Sequence, residues 1–254
     1  MRTISLLTCF MIFIVLSTVH AEDAGNIDVK MILKKTDAAE GFVSNYSEMK
    51  QIITTSSGKE RTLVMRSWAV NNGDKQLAEY LAPPDIKGQR ILMTDHGDNI
   101  WMFNPETRRN RKLGSHMRKK KVMGSDFTYE DQSGGKASEK YTGVSLRNEK
   151  IEKTECYVLE LKPTPKGPSY GKIIIWIGKE DFITRRVDYF RKDESKPFKR
   201  LVMEDIRKSG AKLYPYKMTM TNLEDKTKTI NIMTRTQFGV EIPLSIFESR
   251  NLEK

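Results

Sequence analysis

From residue 50 onward, apolar and polar side chains alternate with a period of two, the repeat of a β-strand that buries one face. The alternation predicts strands over 51–55, 61–70, 76–81, 89–94, 99–104 and 107–113, and again over 154–161, 172–178, 183–191, 199–208, 213–222 and 227–236. Turn-forming clusters separate them: Ser56-Ser57-Gly58, Asn71-Asn72-Gly73-Asp74, Ala82-Pro83-Pro84 and His96-Gly97-Asp98. Short connections of this kind join antiparallel neighbours. About eleven or twelve strands at this spacing make a sandwich, a barrel or one large curved sheet.

The alternation also assigns faces. Tyr216, Met218 and Met220 share one face, with Lys217, Thr219 and Thr221 on the other. Leu201 pairs with Met203 in the same way, as do Ile230 with Ile232, Val187 with Tyr189, and Ile91 with Met93. One face of the sheet is therefore apolar and rich in Met and aromatic residues, and it must be covered. Three segments are available as cover: a helix over 26–39 that Asn26 or Asp28 caps and Gly41 ends, the region 124–142, and a tail in which Pro243 opens a turn and Ile246, Phe247 and Leu252 pack inward. Three short covers over so many strands leave apolar space that an apolar ligand can fill. The run 173–177 is apolar on both faces, which predicts a central strand covered on both sides.

Residues 98–132 combine three features. A strand carries Trp101 and Phe103, a turn follows at Asn104-Pro105-Glu106, and a basic run leads into Gly124-Ser125-Asp126, the expected start of a short helix. The basic run comprises Arg108, Arg109, Arg111 and Lys112, then Arg118, Lys119, Lys120 and Lys121. It reads equally as a solvated strand edge that resists aggregation and as a docking rim for an anionic membrane surface or an acidic partner. It lacks the interleaved aromatic residues that would stack nucleic-acid bases.

The first 21 residues read as a cleaved export signal. Arg2 supplies the charge, 4–15 is almost wholly apolar, and Val19-His20-Ala21 ends in a small-residue cleavage pattern. The apolar run falls short of the roughly 20 residues a spanning helix needs. Cleavage takes the 254 residues to 254 − 21 = 233, enough for a single domain over 22–254, and loss of Arg2 takes the formal charge from +11 to +10. Such an excess favours anionic surfaces. Of the two cysteines, Cys9 leaves with the signal, and Cys156 sits in a strand pattern as a buried thiol. No disulfide framework supports the fold.

Motifs for chemistry are sparse. His96 lies in a tight turn and His116 in a polar loop, and no His or Cys spacing matches a metal site. There is no G-x-S-x-G, P-loop or dinucleotide fingerprint. Asp126, Glu130 and Asp131 form the one acidic cluster of the basic region, placed where carboxylates complement a helix N-terminus. Neither a catalytic residue, a metal nor a cofactor is expected.

Trp101-Met102-Phe103-Asn104-Pro105, the pair Arg108-Arg109 and Gly124-Ser125-Asp126-Phe127-Thr128-Tyr129-Glu130-Asp131 together resemble the outer-membrane lipoprotein-sorting family, distant relatives of the periplasmic carrier LolA. Trp68, the segment 80–84, Lys87-Gly88 and the spacing of Phe247 and Leu252 fit as well. The resemblance implies a mainly β (α+β) fold: a curved antiparallel half-barrel of about 11 strands under a helical lid, by family analogy. It implies a periplasmic, non-enzymatic carrier for acyl chains of lipoproteins or other lipids, with an inner-membrane transporter or anionic membrane as partner and a monomer as the working unit. On that reading the concave wall uses Met65, Ile91, Met93, Trp101, Phe103, Val187, Tyr189, Leu201, Met203, Tyr216, Met218, Met220, Ile230 and Ile232, with Phe127 closing the lid. The alternatives are an envelope interaction module whose concavity is filled, and a lipid hydrolase in which Asp126 or His96 meets another polar group inside the cavity.

Overall fold

The computed structural model describes residues 28–254. The expected export signal and the start of the N-terminal helix pattern lie outside them. Helix α1, Val29–Glu40, begins where the Asp28 carboxylate accepts the Met31 N–H at 3.2 Å, and it buries Ile32, Leu33 and Thr36. Thirteen strands follow: β1 Ser44–Thr54, β2 Glu60–Val70, β3 Lys75–Ala82, β4 Arg90–Thr94, β5 Asn99–Asn104, β6 Arg109–Leu113, β7 Tyr141–Ile151, β8 Thr154–Pro163, β9 Lys172–Gly178, β10 Thr184–Phe190, β11 Lys199–Ser209, β12 Lys212–Asn222 and β13 Thr227–Phe238. Two four-residue helices, α2 Tyr129–Gln132 and α3 Ala137–Lys140, lie between β6 and β7.

All thirteen strands form one open antiparallel sheet in the order β6-β5-β4-β3-β2-β1-β13-β12-β11-β10-β9-β8-β7. Two runs of hairpins thus meet where β1 pairs with β13, Asn45 opposite Phe238. The count exceeds the expected eleven or twelve because β7 lacks a buried face. Its side chains are exposed or half-buried, so no alternation marks it. β1 also begins seven residues before the expected 51, since its inward positions Asn45, Ser47 and Gln51 are polar. The turn at Asn71-Asn72-Gly73 is as expected, with φ of 51°, 56° and 77° in the left-handed region that Asn and Gly tolerate.

The sheet has covered ground on both faces. On the inner face, α1 and Phe127 pack on Leu159, Leu161, Ile173, Ile175, Ile177, Val187, Tyr189, Leu201 and Met220. A second inner cluster joins Met65, Tyr80, Ile91, Met93, Ile100 and Leu113 to Val122 and Tyr129 of the segment 114–140. The C-terminal tail makes two 3-10 turns, Leu244–Phe247 and Ser249–Asn251, and lies on the outer face against Leu77, Leu92, Phe103, Trp68 and Trp101. The tail therefore covers the face opposite to the one expected. β9 is covered on both sides as expected, with Cys156, Val158 and Trp176 forming an outer cluster.

Outer-face charges organise the sheet surface. Asp188, almost wholly buried, accepts from Arg186 and Arg200, with Arg200 Nε at 2.7 Å. Burial pushes its carboxyl up, but the two guanidiniums outweigh burial and hold it below the ordinary value. A depressed carboxylate contributes stability that is complete above its unfolded pKa, about 3.9, and is lost as pH falls through the folded value. The stability gap between wild type and Asp188→Asn is therefore present at pH 6 and shrinks below about pH 4. Urea unfolding at the two pH values checks this, and a gap independent of pH would refute the assignment.

Candidate functional site

Antiparallel register sets residues side by side in rows across the inner face. One row runs Tyr80, Met65, Met49, Met233. The next runs Leu63, Gln51, Asn231, Met218, Met203. A third runs Ile53, Thr229, Met220, Leu201, Val187. The first two rows, Leu63 apart, floor a cavity of about 350 Å³ between sheet and lid. Its other walls are Ile91 and Met93 of β4, Leu201 of β11, Tyr214 of β12, and Phe127, Asp131 and Gln132 of the lid. Strands β4 and β11 are separated by five others, roughly 29 Å if laid flat. Both line the same cavity, so the sheet curves around it.

The lid, residues 114–140, is pinned at polar points. Asp126 is buried; its Oδ1 accepts from Thr227 Oγ1 at 2.5 Å and from Lys121 Nζ at 3.2 Å, and its Oδ2 from Thr229 Oγ1 at 2.8 Å. Thr128 caps α2 and shares a capping box with Asp131. The Asp131 side chain then reaches inward. Its Oδ1 accepts from Tyr170 Oη and its Oδ2 from Lys199 Nζ, each at 2.6 Å. The Lys199 ammonium lies 4.9 Å from the Tyr170 ring centre and 4.7 Å from that of Tyr189. Burial and the Asp131 charge push the Tyr170 phenol far up, so it donates and stays neutral. Asp37 of α1 accepts from the Ala137 N–H at 2.7 Å, which ties the two covers together. The acidic cluster thus does more than complement a helix end: two of its three carboxylates fasten the lid to the sheet.

Of the wall residues expected from sequence, Met65, Ile91, Met93, Phe127, Leu201, Met203 and Met218 line the cavity. Val187, Tyr189 and Met220 share that face but are packed into the cluster around α1. Trp101 and Phe103 point the other way, into the cluster under the tail, and Ile100 and Met102 of the same strand face inward. Ile230 and Ile232 flank the inward Asn231 and so lie on the outer face, Ile232 at 37% exposure. Tyr216 is half-buried against Arg207 and is not a lining residue. Both faces of β5 are apolar, and sequence alternation cannot say which apolar set turns inward.

Sequence reasoning missed Met49, Met233, Tyr80 and the polar floor residues Asn45, Ser47, Gln51, Ser67 and Asn231. Met49 was findable, being a lone apolar residue between Glu48 and Lys50 in a polar stretch; Met233 was not, since Ile230 and Ile232 occupy the opposite phase of its strand. Register alone reveals the polar members.

The basic rim divides. Arg118 pairs with Asp98, and Lys121 pairs with Asp126 and Asp225, so these two serve the lid. Arg108, Arg109, Arg111, Lys112, Lys119 and Lys120 are exposed and form no ion pair among the described residues. Four of them stand on or beside the edge strand β6. His96 is on a surface turn, 3.8 Å from Asp74, and does not meet Asp126. Among the described residues no His, Cys, Asp and Glu group is arranged to hold a metal, and no helix is long and apolar enough to cross a membrane.

A family model described as "Uncharacterized protein" matches residues 72–254. No curated protein matches the chain. Solved structures do. A domain described as an outer membrane lipoprotein-sorting protein from Vibrio parahaemolyticus is 24% identical, with 89% of this chain and 98% of that one covered and a TM-score of 0.81. A DUF1329 family protein from Desulfovibrio piger is 20% identical, with 88% and 97% covered and a TM-score of 0.81. A LolA superfamily protein from Nitrosomonas europaea is 19% identical, with 86% and 96% covered and a TM-score of 0.71. At these identities the likeness is one of fold.

Proposed function

This chain belongs to the family matched over residues 72–254 and has the fold of outer membrane lipoprotein-sorting and LolA superfamily proteins; from that premise we propose that it is a non-enzymatic periplasmic carrier. In this reading it holds an acyl chain of a lipoprotein or another lipid in the inner-face cavity and passes it toward the outer membrane. The observation that carries the reading is the cavity itself, about 350 Å³ under a lid and lined by six methionines among other residues: Met49, Met65, Met93, Met203, Met218 and Met233. That volume lies within the range of roughly 300–1,000 Å³ for small-molecule sites. Methionine is flexible and polarizable, and it adapts to chains of varied shape. Each methylene withdrawn from water contributes about 0.8 kcal/mol, enough for a chain of ordinary length to favour the cavity over free solution. The unfilled space supports this reading over an interaction module with a packed interior. The separate structural engagements of Asp126 and His96 give no support to a hydrolase.

The test is recovery of cargo. Protein purified from its native host without detergent is expected to yield acyl lipid by mass spectrometry, and the emptied protein to bind N-phenyl-1-naphthylamine. A plug, Met49→Trp, is expected to cut dye binding at least tenfold while circular dichroism stays that of the wild type. Absence of both lipid and dye binding would sink the carrier reading.

The unpaired part of the basic rim is proposed as the membrane-facing edge. Each cation near an anionic surface contributes about 1 kcal/mol at most. Reversing Arg109, Arg111, Lys119 and Lys120 to Glu is expected to abolish co-sedimentation with phosphatidylglycerol vesicles at 0.1 M salt. Unchanged sedimentation would leave these residues as a solvated edge.

A further inference from the structure

The cavity floor is not uniformly apolar, and one polar pair in it is incompletely engaged. Ser47 and Ser67 bond each other at 2.8 Å, and the Asn45 amide group donates to Thr236 Oγ1 and to two carbonyl oxygens. Gln51 and Asn231 differ. They stand directly opposite across β1 and β13, and Gln51 Nε2 donates to Asn231 Oδ1 at 2.8 Å. That single bond leaves the Gln51 side-chain carbonyl and the Asn231 NH2 group with no protein partner among the described residues. Both residues are more than nine-tenths buried, at 3% and 6% exposure, and both line the cavity. The sealed polar atoms that lack partners lie elsewhere, on Thr36, Asn110, Ser145 and Trp176. The two open groups therefore reach space, and the space they line is the cavity.

A buried amide with unused hydrogen-bonding capacity is costly unless something in the site completes it. What completes it here must bring an acceptor for the Asn231 NH2 and a donor for the Gln51 carbonyl. Leu63 and Met218 flank the pair in its own row, and Met49, Met65 and Met233 fill the row on one side of it. A ligand that fits carries one polar linkage set against hydrocarbon. A secondary amide offers both an acceptor and a donor, an ester offers the acceptor alone, and an ether offers only a weak acceptor.

We infer that the Gln51–Asn231 pair is a linkage-reading subsite and that the preferred cargo of the cavity is an N-acyl amphiphile, with the amide joining chain to headgroup seated on the pair. This rests on the carrier reading and narrows its cargo. Sites built to hydrogen-bond a ligand reject the analogue that lacks the group, because their own polar atoms are then left unpaired.

Three probes that differ only in the linkage separate the outcomes: N-ethyldodecanamide, ethyl dodecanoate and dodecyl ethyl ether, each competed against N-phenyl-1-naphthylamine on the full chain. The expected order is amide, then ester, then ether, with the amide favoured over the ether by about tenfold, two hydrogen bonds each worth a few-fold. Gln51→Met with Asn231→Leu, close in volume to the originals, is expected to bring the amide down to the level of the ether. If the double variant does not fold, the wild-type ranking alone decides. Binding of all three probes with equal affinity would overturn the subsite, meaning that water completes the pair, and would leave the carrier reading standing. Binding of none would overturn both.

Discussion

Asp131→Ala is expected to lower the stability of the protein by about 3–5 kcal/mol, the usual cost of stranding one member of a buried ion pair. Lys199 and Asp131 side chains are 3% and 2% exposed, so the ammonium left behind is buried without a carboxylate partner. The variant also loses the acceptor of the Tyr170 phenol and one half of the α2 capping box. For a protein of this size each kcal/mol moves Tm by about 2–4 °C, which gives a fall of roughly 6–20 °C. The control is Asp131→Leu with Lys199→Met. Replacing both partners by apolar residues removes the stranded charge, and such swaps are often neutral or better. Thermal unfolding of wild type, single and double variants is the measurement. A single-variant loss under about 1 kcal/mol would show that the pair does not hold the lid. The same variant is expected to exchange cavity ligand faster, because Asp131 lies both in the latch and in the cavity wall.

Phe247→Ala is expected to cost about 3–5 kcal/mol, as for other buried aromatic truncations. Phe247 is 4% exposed and, with Leu252, fills the cluster formed by Leu77, Leu92 and Phe103 on the outer face. Arg90 anchors the tail further by donating to the Leu252 carbonyl at 2.8 Å. Loss of this packing is expected to change the emission of Trp68 and Trp101, which touch the cluster, and to raise global unfolding at lower urea. Dye affinity of the still-folded variant should remain within about twofold of wild type, since none of Phe247, Leu252 or Phe103 lines the cavity. If Phe103 and Trp101 were cavity walls, the two readouts would fall together.

The contrast between these two sites shows where legibility stopped. Twelve strand patterns could be read because half-buried strands repeat with period two, and twelve of the thirteen strands match them. The thirteenth, β7, is an edge strand without a buried face, so no pattern was there to read. Seven of the expected wall residues reach the cavity, six of them on β2, β4, β11 and β12 and Phe127 on the lid; the facing is plainest on β12, where Met218 and Met220 stand against Lys217, Thr219 and Thr221. The assignment failed on β5, where Trp101 and Ile100 face opposite ways and both are covered. It failed on β13 for the reverse reason: the inward residues there include Thr229 and Asn231, and the isoleucines are the outward set. Aromatic size suggested a wall at Trp101, but burial under a tail satisfies the same side chain equally well.

What the amino-acid order determined by itself is local: where most strands run and turn, that Asn26 or Asp28 can cap a helix, that positive charge gathers along 108–121, and that no familiar catalytic motif is present. These follow from backbone preferences and from side chains a few residues apart, which one stretch of chain contains in full. Tertiary structure decided everything that depends on distant segments: the join of β1 to β13, the tail on the outer face, the seat of Lys199 on Asp131, and the meeting of Gln51 with Asn231, 180 residues away. Inward polar residues at such a site break the alternation that would announce it, and only the register of strands far apart in the chain brings them together. Curvature of the sheet then turns that shared face into a cavity under the lid.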